Sequence, residues 1–394
     1  MNKRKTILGS AIVLYFVIGL EILIMISPFA GFFYSVFNPV LLGIAKYPAT
    51  RWLSAFFLPH MVIPPDAFLR AVRVAGSVLF VLGLGVFVVC ALQIYVSKFL
   101  KRGAVLKGLY SHIRHPQYLG LAVCGIGLSI LWPRFLVAAL WLIMILIYYF
   151  LSRDEEKRML KAHGADYEAY MKKTGMFLPA SVERRVAPSS TAGRAAVFAL
   201  IVAVVIGGTF ALRAYTIDHL PIWTEGNVVA MSILPEDTFK MDHRMPDILG
   251  TDEVARRIDP DEEYLVYFLP QNYIMQGLVA DTGGQWKLYK RHHTIGMITD
   301  WIFHPFRHLR EGHHAMHTGG EHQAQGAQSP GVVRRLVFIK IKDVDVRGPS
   351  DVFSMNAKRV PSFMADIDIH EPRILDIKDL PEDTGWGTVP TPVF

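Results

Sequence analysis

The 394 residues predict an all-α polytopic membrane region, with about five transmembrane helices including a tight helical hairpin, followed by a mainly β or α+β soluble domain. Three observations predict this fold class. Apolar residues make up 52% of the chain and fall in long blocks, whereas soluble domains spread them through their elements. Lys and Arg gather on alternate connections between the blocks. After residue 215 the blocks stop, and short β-branched and aromatic runs take over.

The first block, 6–26 (TILGSAIVLYFVIGLEILIMI), holds one acidic residue in twenty-one, long enough to cross a ~30 Å hydrocarbon core. The basic start MNKRK resembles a signal peptide. The apolar core is longer than the ~7–15 residues of a signal sequence and no small-x-small cleavage site follows, so it reads as a retained helix. The second block is 74–96, the third runs from Tyr118 to Leu131, the fourth from Phe135 to Leu151, and the fifth is 195–212. Glu21 and Gln93 lie inside spans. A carboxylate at that depth either faces the bundle interior or a substrate path, or snorkels to the outer interface.

Five spans with the N-terminus inside place 1–5, 97–117 and 152–194 in the cytoplasm. These carry three, five and nine Lys/Arg, against three in 28–70 and one, Arg134, in the turn between blocks three and four. The asymmetry follows the positive-inside rule. The expected location is a bacterial plasma membrane, with the N-terminus cytoplasmic and everything after the fifth span extracytoplasmic. The formal charge of +7 then reads as membrane topology, and a nucleic-acid partner is unnecessary to explain it. The loop 28–70, rich in aromatics and prolines, is expected partly in the interface. Cys90 and Cys124 both fall inside spans, so the exported part folds without disulfides, and an apolar setting leaves both thiols unreactive.

Three regions follow: a membrane domain over 1–190, a final transmembrane helix over 191–215, and a soluble domain over 216–394. In the last, 227–234, 263–269, 273–280, 285–290 and 334–344 read as strands. Eight histidines crowd 292–322: His292, His293, His304, His308, His313, His314, His317 and His322. The i, i+4 spacing of His304 and His308 would put two imidazoles on one helical face, but no acidic or Cys partner completes a site and no metal ligand is assigned. Residues 311–331 read as a polar loop insertion. The acidic segment 364–383 reads as a solvated face, with docking to a basic partner as the lesser option.

The third and fourth blocks are separated only by Trp132-Pro133-Arg134. Two antiparallel helices joined so tightly return the chain to the face it left, with axes ~8–10 Å apart. The stretch GLYSHIRHPQYLG (108–120) opens the hairpin and SRDEEKRML (152–160) leaves it. Pro116 suits a first helical turn, which puts Arg114 and His115 at a helix N-terminus, where backbone N–H groups favour an anion. Glu155 and Glu156 arrive opposite. Such a site could grip a carboxylate at one end and an ammonium or ribose hydroxyl at the other. The plainer alternative makes Arg114 and His115 interfacial anchors and the two glutamates a solvated helix face. The segment 160–179 that follows is amphipathic, with Tyr167 and Tyr170 on one face, and could lie over the hairpin mouth as a lid.

GLYSHIRHPQYLG, followed by DEEKRMLKAHGADYEAY and a closing FLP, resembles the isoprenylcysteine carboxyl methyltransferase and phospholipid methyltransferase superfamily. That pattern is G-x-Y-x-x-x-R-H-P-x-Y-x-G, a hairpin, then E-E-x-x-L, G-x-x-Y-x-x-Y and a terminal proline. The likeness covers about residues 100–180. It implies a multi-helix membrane enzyme using S-adenosylmethionine, with Tyr110, Arg114, His115, Pro116, Tyr118 and Gly120 in the cofactor pocket and Glu155 and Glu156 completing it. Arg114 and Glu156 are the expected catalytic residues, and Tyr167 and Tyr170 the expected substrate contacts. The family often has a basic residue before the closing apolar-Pro, whereas this chain has Thr174-Gly175-Met176, so a headgroup contact from there is not expected.

The resulting expectation is an integral-membrane methyltransferase acting on a lipid or lipophilic acceptor at the cytoplasmic face, with membrane lipids and that acceptor as its partners. An alternative is a methyltransferase-like anchor whose domain 216–394 docks into a multi-protein membrane complex. A membrane reductase is a third reading, because sterol reductases share a related architecture. The full R-H-P-x-Y pattern with doubled glutamates favours the methyl donor.

Overall fold

Residues 43–59, 66–100, 105–270, 333–371 and 373–380 are described by the computed structural model of the chain. The first apolar block with Glu21, the strand-like runs 273–280 and 285–290, and the His-rich segment lie outside them. Among the described residues, no group of three or more His, Cys, Asp or Glu is placed to hold a metal ion.

Among the described residues, three helices are long and apolar enough to cross a membrane: α1 (Ala67–Phe99), α3 (Phe135–Lys173) and α5 (Thr191–Asp218). Between the first two lies α2 (Pro116–Leu131), and α4 (Ala180–Val186) precedes α5. The expectation of about five spans thus resolves into three long helices and a shorter apolar one, with the remaining block outside the described residues. The 16 residues of α2 reach about 24 Å at ~1.5 Å per residue, less than a ~30 Å core needs.

The chain divides into two compact units, one containing Val72–Gly208, the other joining the segment before Val72 to the chain from Thr209. In the first, α2 and α3 form the expected hairpin around Trp132-Pro133-Arg134, with the Trp141 indole donating to the Ala122 carbonyl at 2.8 Å. Against α1 the contact is backbone on backbone: a Cβ added to Gly83 would lie 2.3 Å from the Cys124 nitrogen, and one on Gly127 2.3 Å from the Phe80 nitrogen. Small residues let membrane helices approach in this way. Tyr118, Leu121, Cys124, Val137, Met144 and Tyr148 form the buried centre. The amphipathic segment after residue 160 continues α3, which bends at Gly164 (φ 52°, ψ −125°) and runs on to Lys173. Only glycine adopts that conformation at low cost.

The second unit is a mixed sheet in the order β1 (Ile222–Glu225), β2 (Val228–Ser232), β3 (Glu263–Pro270), β4 (Val333–Lys342), β5 (Lys358–Asp368), β6 (Arg373–Asp379). Among the described strands only β2 and β3 pair in parallel, because the amphipathic helix α6 (Pro235–Leu249) lies between them in sequence and a parallel pair needs a crossover. Met241, Met245 and Ile248 of α6 bury themselves against Val266, Phe268, Leu336, Phe338 and Phe363 of the sheet. Neighbouring arginines on β4 point to opposite faces, as strand geometry requires, and each is bidentately paired. Arg334 binds Asp237 of α6 at 2.6 and 2.9 Å, and Arg335 binds Asp366 of β5 at 2.7 and 2.8 Å.

One expectation is corrected here. The acidic segment from Met364 is not a solvated face: its first residues belong to β5, where Met364, Ala365, Asp366 and Ile367 are buried, and β6 follows as the edge strand. The described part of the loop 28–70 belongs to the unit that contains the sheet. Ala55, Phe56, Phe57 and Leu58 are buried there, and the buried Arg213 of α5 donates to the carbonyls of Phe56 and Phe353. Trp52 also meets Phe210 at 5.7 Å between ring centroids.

Candidate functional site

The site grows from the way the hairpin is closed. A one-turn 3-10 helix, Gly108–Ser111, leads toward α2, and the chain leaving α3 runs alongside it. Ile113 and Gly175 form a parallel bridge. The Arg114 amide donates to the Gly175 carbonyl at 2.8 Å, the His115 amide to Met176 at 3.0 Å, and the Gly175 amide to His112 at 3.4 Å. A Cβ on Gly175 would sit 1.9 Å from the Leu178 carbonyl oxygen, so the turn before Phe177-Leu178-Pro179 must be glycine. Glu183 of α4 caps the turn by accepting from the Phe177 amide at 3.1 Å.

Pro116 occupies the first position of α2 and His115 its N-cap. Arg114 does not reach for an external anion with its whole guanidinium. Its Nε donates to Glu156 Oε1 at 2.5 Å, and one terminal nitrogen donates to the carbonyls of Met171 (3.2 Å) and Thr174. The pair is buried, with side chains 8% and 6% exposed. Glu155 faces elsewhere: Tyr118 donates to its Oε1 at 2.6 Å.

His115 stands between the two carboxylates, Nδ1 at 3.3 Å from Glu155 and Nε2 at 3.6 Å from Glu156. Neither contact is aligned as a hydrogen bond, and both ring nitrogens are buried. Burial alone would lower the His115 pKa, but the adjoining carboxylates more than offset it and hold the imidazole above its ordinary value. Burial would likewise raise Glu155 and Glu156. Contact with His115, together with Tyr118 for Glu155 and Arg114 for Glu156, keeps both below the usual carboxylate range.

A cavity of about 320 Å³ opens beside this cluster. Tyr110, Arg114, His115, Tyr118, Glu155, Tyr167 and Tyr170 line it. Tyr170 is fixed there by donating to the Tyr110 carbonyl at 2.6 Å, and burial pushes the Tyr167 phenol up to about 12. Of the remaining residues singled out from sequence, Pro116 and Glu156 stand behind the cavity wall. Gly120 belongs to the helix crossing: a Cβ there would lie 2.8 Å from the Phe87 nitrogen.

Several lining residues escaped sequence reasoning. Ile94, Tyr95 and Lys98 come from α1, and Leu151 and Met159 from α3. Nothing local marks them, because helix packing alone brings them to the cavity. Gln117 also lines it. The available signal for Gln117 was a polar residue one position inside an apolar helix.

A family model described as "Protein of unknown function (DUF1295)" matches residues 50–174. No curated protein and no solved structure matches the chain. The chain therefore carries a DUF1295 region that takes in the hairpin and ends at Thr174, whose carbonyl Arg114 holds.

Proposed function

We propose that the chain is an integral-membrane methyltransferase that uses S-adenosylmethionine and acts on a lipid or lipophilic acceptor at the cytoplasmic face of the membrane. The observation that carries this reading is Glu155, held by Tyr118 and flanked by His115 at a cavity lined by five tyrosines, Tyr95, Tyr110, Tyr118, Tyr167 and Tyr170. A carboxylate among aromatic faces suits a ligand carrying ammonium and sulfonium charge, each ring contact being worth roughly 0.5–2 kcal/mol. The cavity volume falls at the lower end of the ~300–1,000 Å³ usual for small-molecule sites.

The bound cofactor would supply an electrophilic methyl group. The chain's part is positioning and electrostatics. Glu155 offers the ligand's cation a carboxylate already ionised, and Tyr118 fixes its direction. Arg114 and Glu156, paired with each other, hold both ends of the hairpin and the His115 ring in register, and so act as positioning residues. Ile94, Val105, Leu106, Leu151 and Met159 form an apolar wall suited to an acceptor arriving from the bilayer. The cytoplasmic orientation rests on the distribution of Lys and Arg.

Binding of S-adenosylmethionine to the detergent-purified protein tests the reading, together with transfer of labelled methyl groups into membrane extracts. Binding by the intact chain, abolished by His115→Ala and Glu155→Gln, supports it. No binding by the intact chain, or binding of a reduced nicotinamide in its place, overturns it. A second reading is favoured by the separate, well-buried core of the sheet unit: the unit docks a partner in a membrane complex. Stoichiometric subunits that co-purify only when residues 216–394 are present would support that role, which is compatible with catalysis.

A further inference from the structure

The motif R-H-P-x-Y leaves one position open, and this chain fills it with Gln117. The residue is 4% exposed and lines the cavity. Its carboxamide is oriented: the Tyr110 hydroxyl donates to Gln117 Oε1 at 3.1 Å, nearer than its other acceptor, the Cys90 carbonyl at 3.4 Å. With the oxygen engaged, the amide nitrogen has no hydrogen bond to the protein among the described residues. The residue lines the cavity, so an amide N–H not used within the protein can be donated there to a ligand or water.

The rest of the cavity's charge is arranged around this gap. The acceptor side is Glu155 on α3. The most obvious anion receptor, Arg114, gives its Nε to Glu156 and one terminal nitrogen to the carbonyls of Met171 and Thr174, which leaves it only its other terminal nitrogen for a ligand. Arg158, also on the wall, is paired with Asp154 at 3.0 Å, and Gln117 supplies the donor side. A zwitterionic amino-acid end matches that polarity, its ammonium toward Glu155 and its carboxylate toward Gln117.

We propose that Gln117 is the specificity-determining residue for the ligand's carboxylate, its amide N–H groups donating to that carboxylate and selecting a methyl donor that carries one. The inference rests on the methyl-donor reading above. It assigns to the residue between Pro116 and Tyr118 a task that Arg114, held by Glu156, Met171 and Thr174, can perform only in part.

The experiment is calorimetric titration of the full-length protein in detergent with S-adenosylmethionine and with its decarboxylated analogue. Wild type, Gln117→Glu and Gln117→Met are compared. Wild type should prefer the carboxylate-bearing ligand. In Gln117→Glu the preference should reverse: affinity for S-adenosylmethionine falls about tenfold or more, the loss of one charge-assisted hydrogen bond, while the analogue binds as well as before or better. In Gln117→Met affinity for S-adenosylmethionine falls and the analogue is unaffected. Unchanged affinity for S-adenosylmethionine in both variants overturns the assignment and leaves the methyl-donor reading standing. Equal loss of both ligands shows a merely structural role and also overturns it. If the wild type binds neither ligand, the methyl-donor reading itself fails, and the Gln117 assignment with it.

Discussion

Arg114 and Glu156, 42 positions apart, meet at 2.5 Å in a buried ion pair that ties the start of α2 to the far part of α3. Because both are buried, removing one partner costs more than the pair contributes. Arg114→Ala strands Glu156 beside His115 and frees the Met171 and Thr174 carbonyls. The expected loss is about 3–5 kcal/mol, measured by thermal unfolding in detergent. Glu156→Gln keeps the shape and an acceptor oxygen, and should lose less, about 1–3 kcal/mol.

The pH dependence of stability follows from the same cluster, in which Arg114, Glu155, Glu156 and Tyr118 surround His115. The His115 pKa is raised above its ordinary 6.5, so its contribution is complete below that value and is lost as pH rises through the raised one. The glutamates are depressed below their ordinary 4.5, so their contribution is present above that value and is lost as pH falls through the depressed ones. Thermal midpoints should therefore decline on both sides of the pH 4.5–6.5 window. His115→Asn should flatten the decline above it and leave an acid-side decline.

Gly164 gives α3 its bend. Space around it is open, so Gly164→Ala meets no clash and suffers only from the backbone. A cost of about 1–3 kcal/mol is expected. The ligand affinity of the cavity should fall as well, because Tyr167 and Tyr170 hang from the segment beyond the bend.

On α1, Gly83 and Gly85 make a matched pair for testing the helix crossing. A side chain on Gly83 collides with the backbone of α2, whereas one on Gly85 meets nothing within 4 Å. Gly83→Ala should lower the thermal midpoint by at least the ~1–3 kcal/mol of an overpacked core. Gly85→Ala should be neutral or stabilising by up to about 1 kcal/mol.

In the sheet unit, Asp366→Asn removes the buried carboxylate that Arg335 binds bidentately. Unfolding of that unit should move to lower temperature, by about 3–5 kcal/mol. Ligand binding by the Val72–Gly208 unit should be unchanged under conditions where both units are folded. Calorimetry of the two transitions, with ligand titration on the same sample, checks both.

Sequence by itself determined the local elements. Block length and hydropathy mark α1, α3 and α5, the Trp132-Pro133-Arg134 turn marks the hairpin, and β-branched runs mark β2, β3 and β4, because each signal is written within ten to twenty neighbouring residues. The edge hairpin β5–β6 is not read as strand, although Phe363, Ala365 and Ile367 alternate along β5. Its aspartates suggested solvent, since a buried Asp366 makes sense only once Arg335 stands opposite it on the neighbouring strand. The motif residues Tyr110, Arg114, His115, Tyr118 and Glu155 could be chosen from sequence as one group. Tertiary structure decided how they share the work: Arg114 turns to Glu156, Glu155 turns to Tyr118 and the cavity, Gly120 serves the helix crossing, and Gln117 lines the cavity with an amide nitrogen unbonded among the described residues. Hydrogen-bond partners depend on which groups lie within about 3 Å after folding, and spacing along the chain does not carry that information.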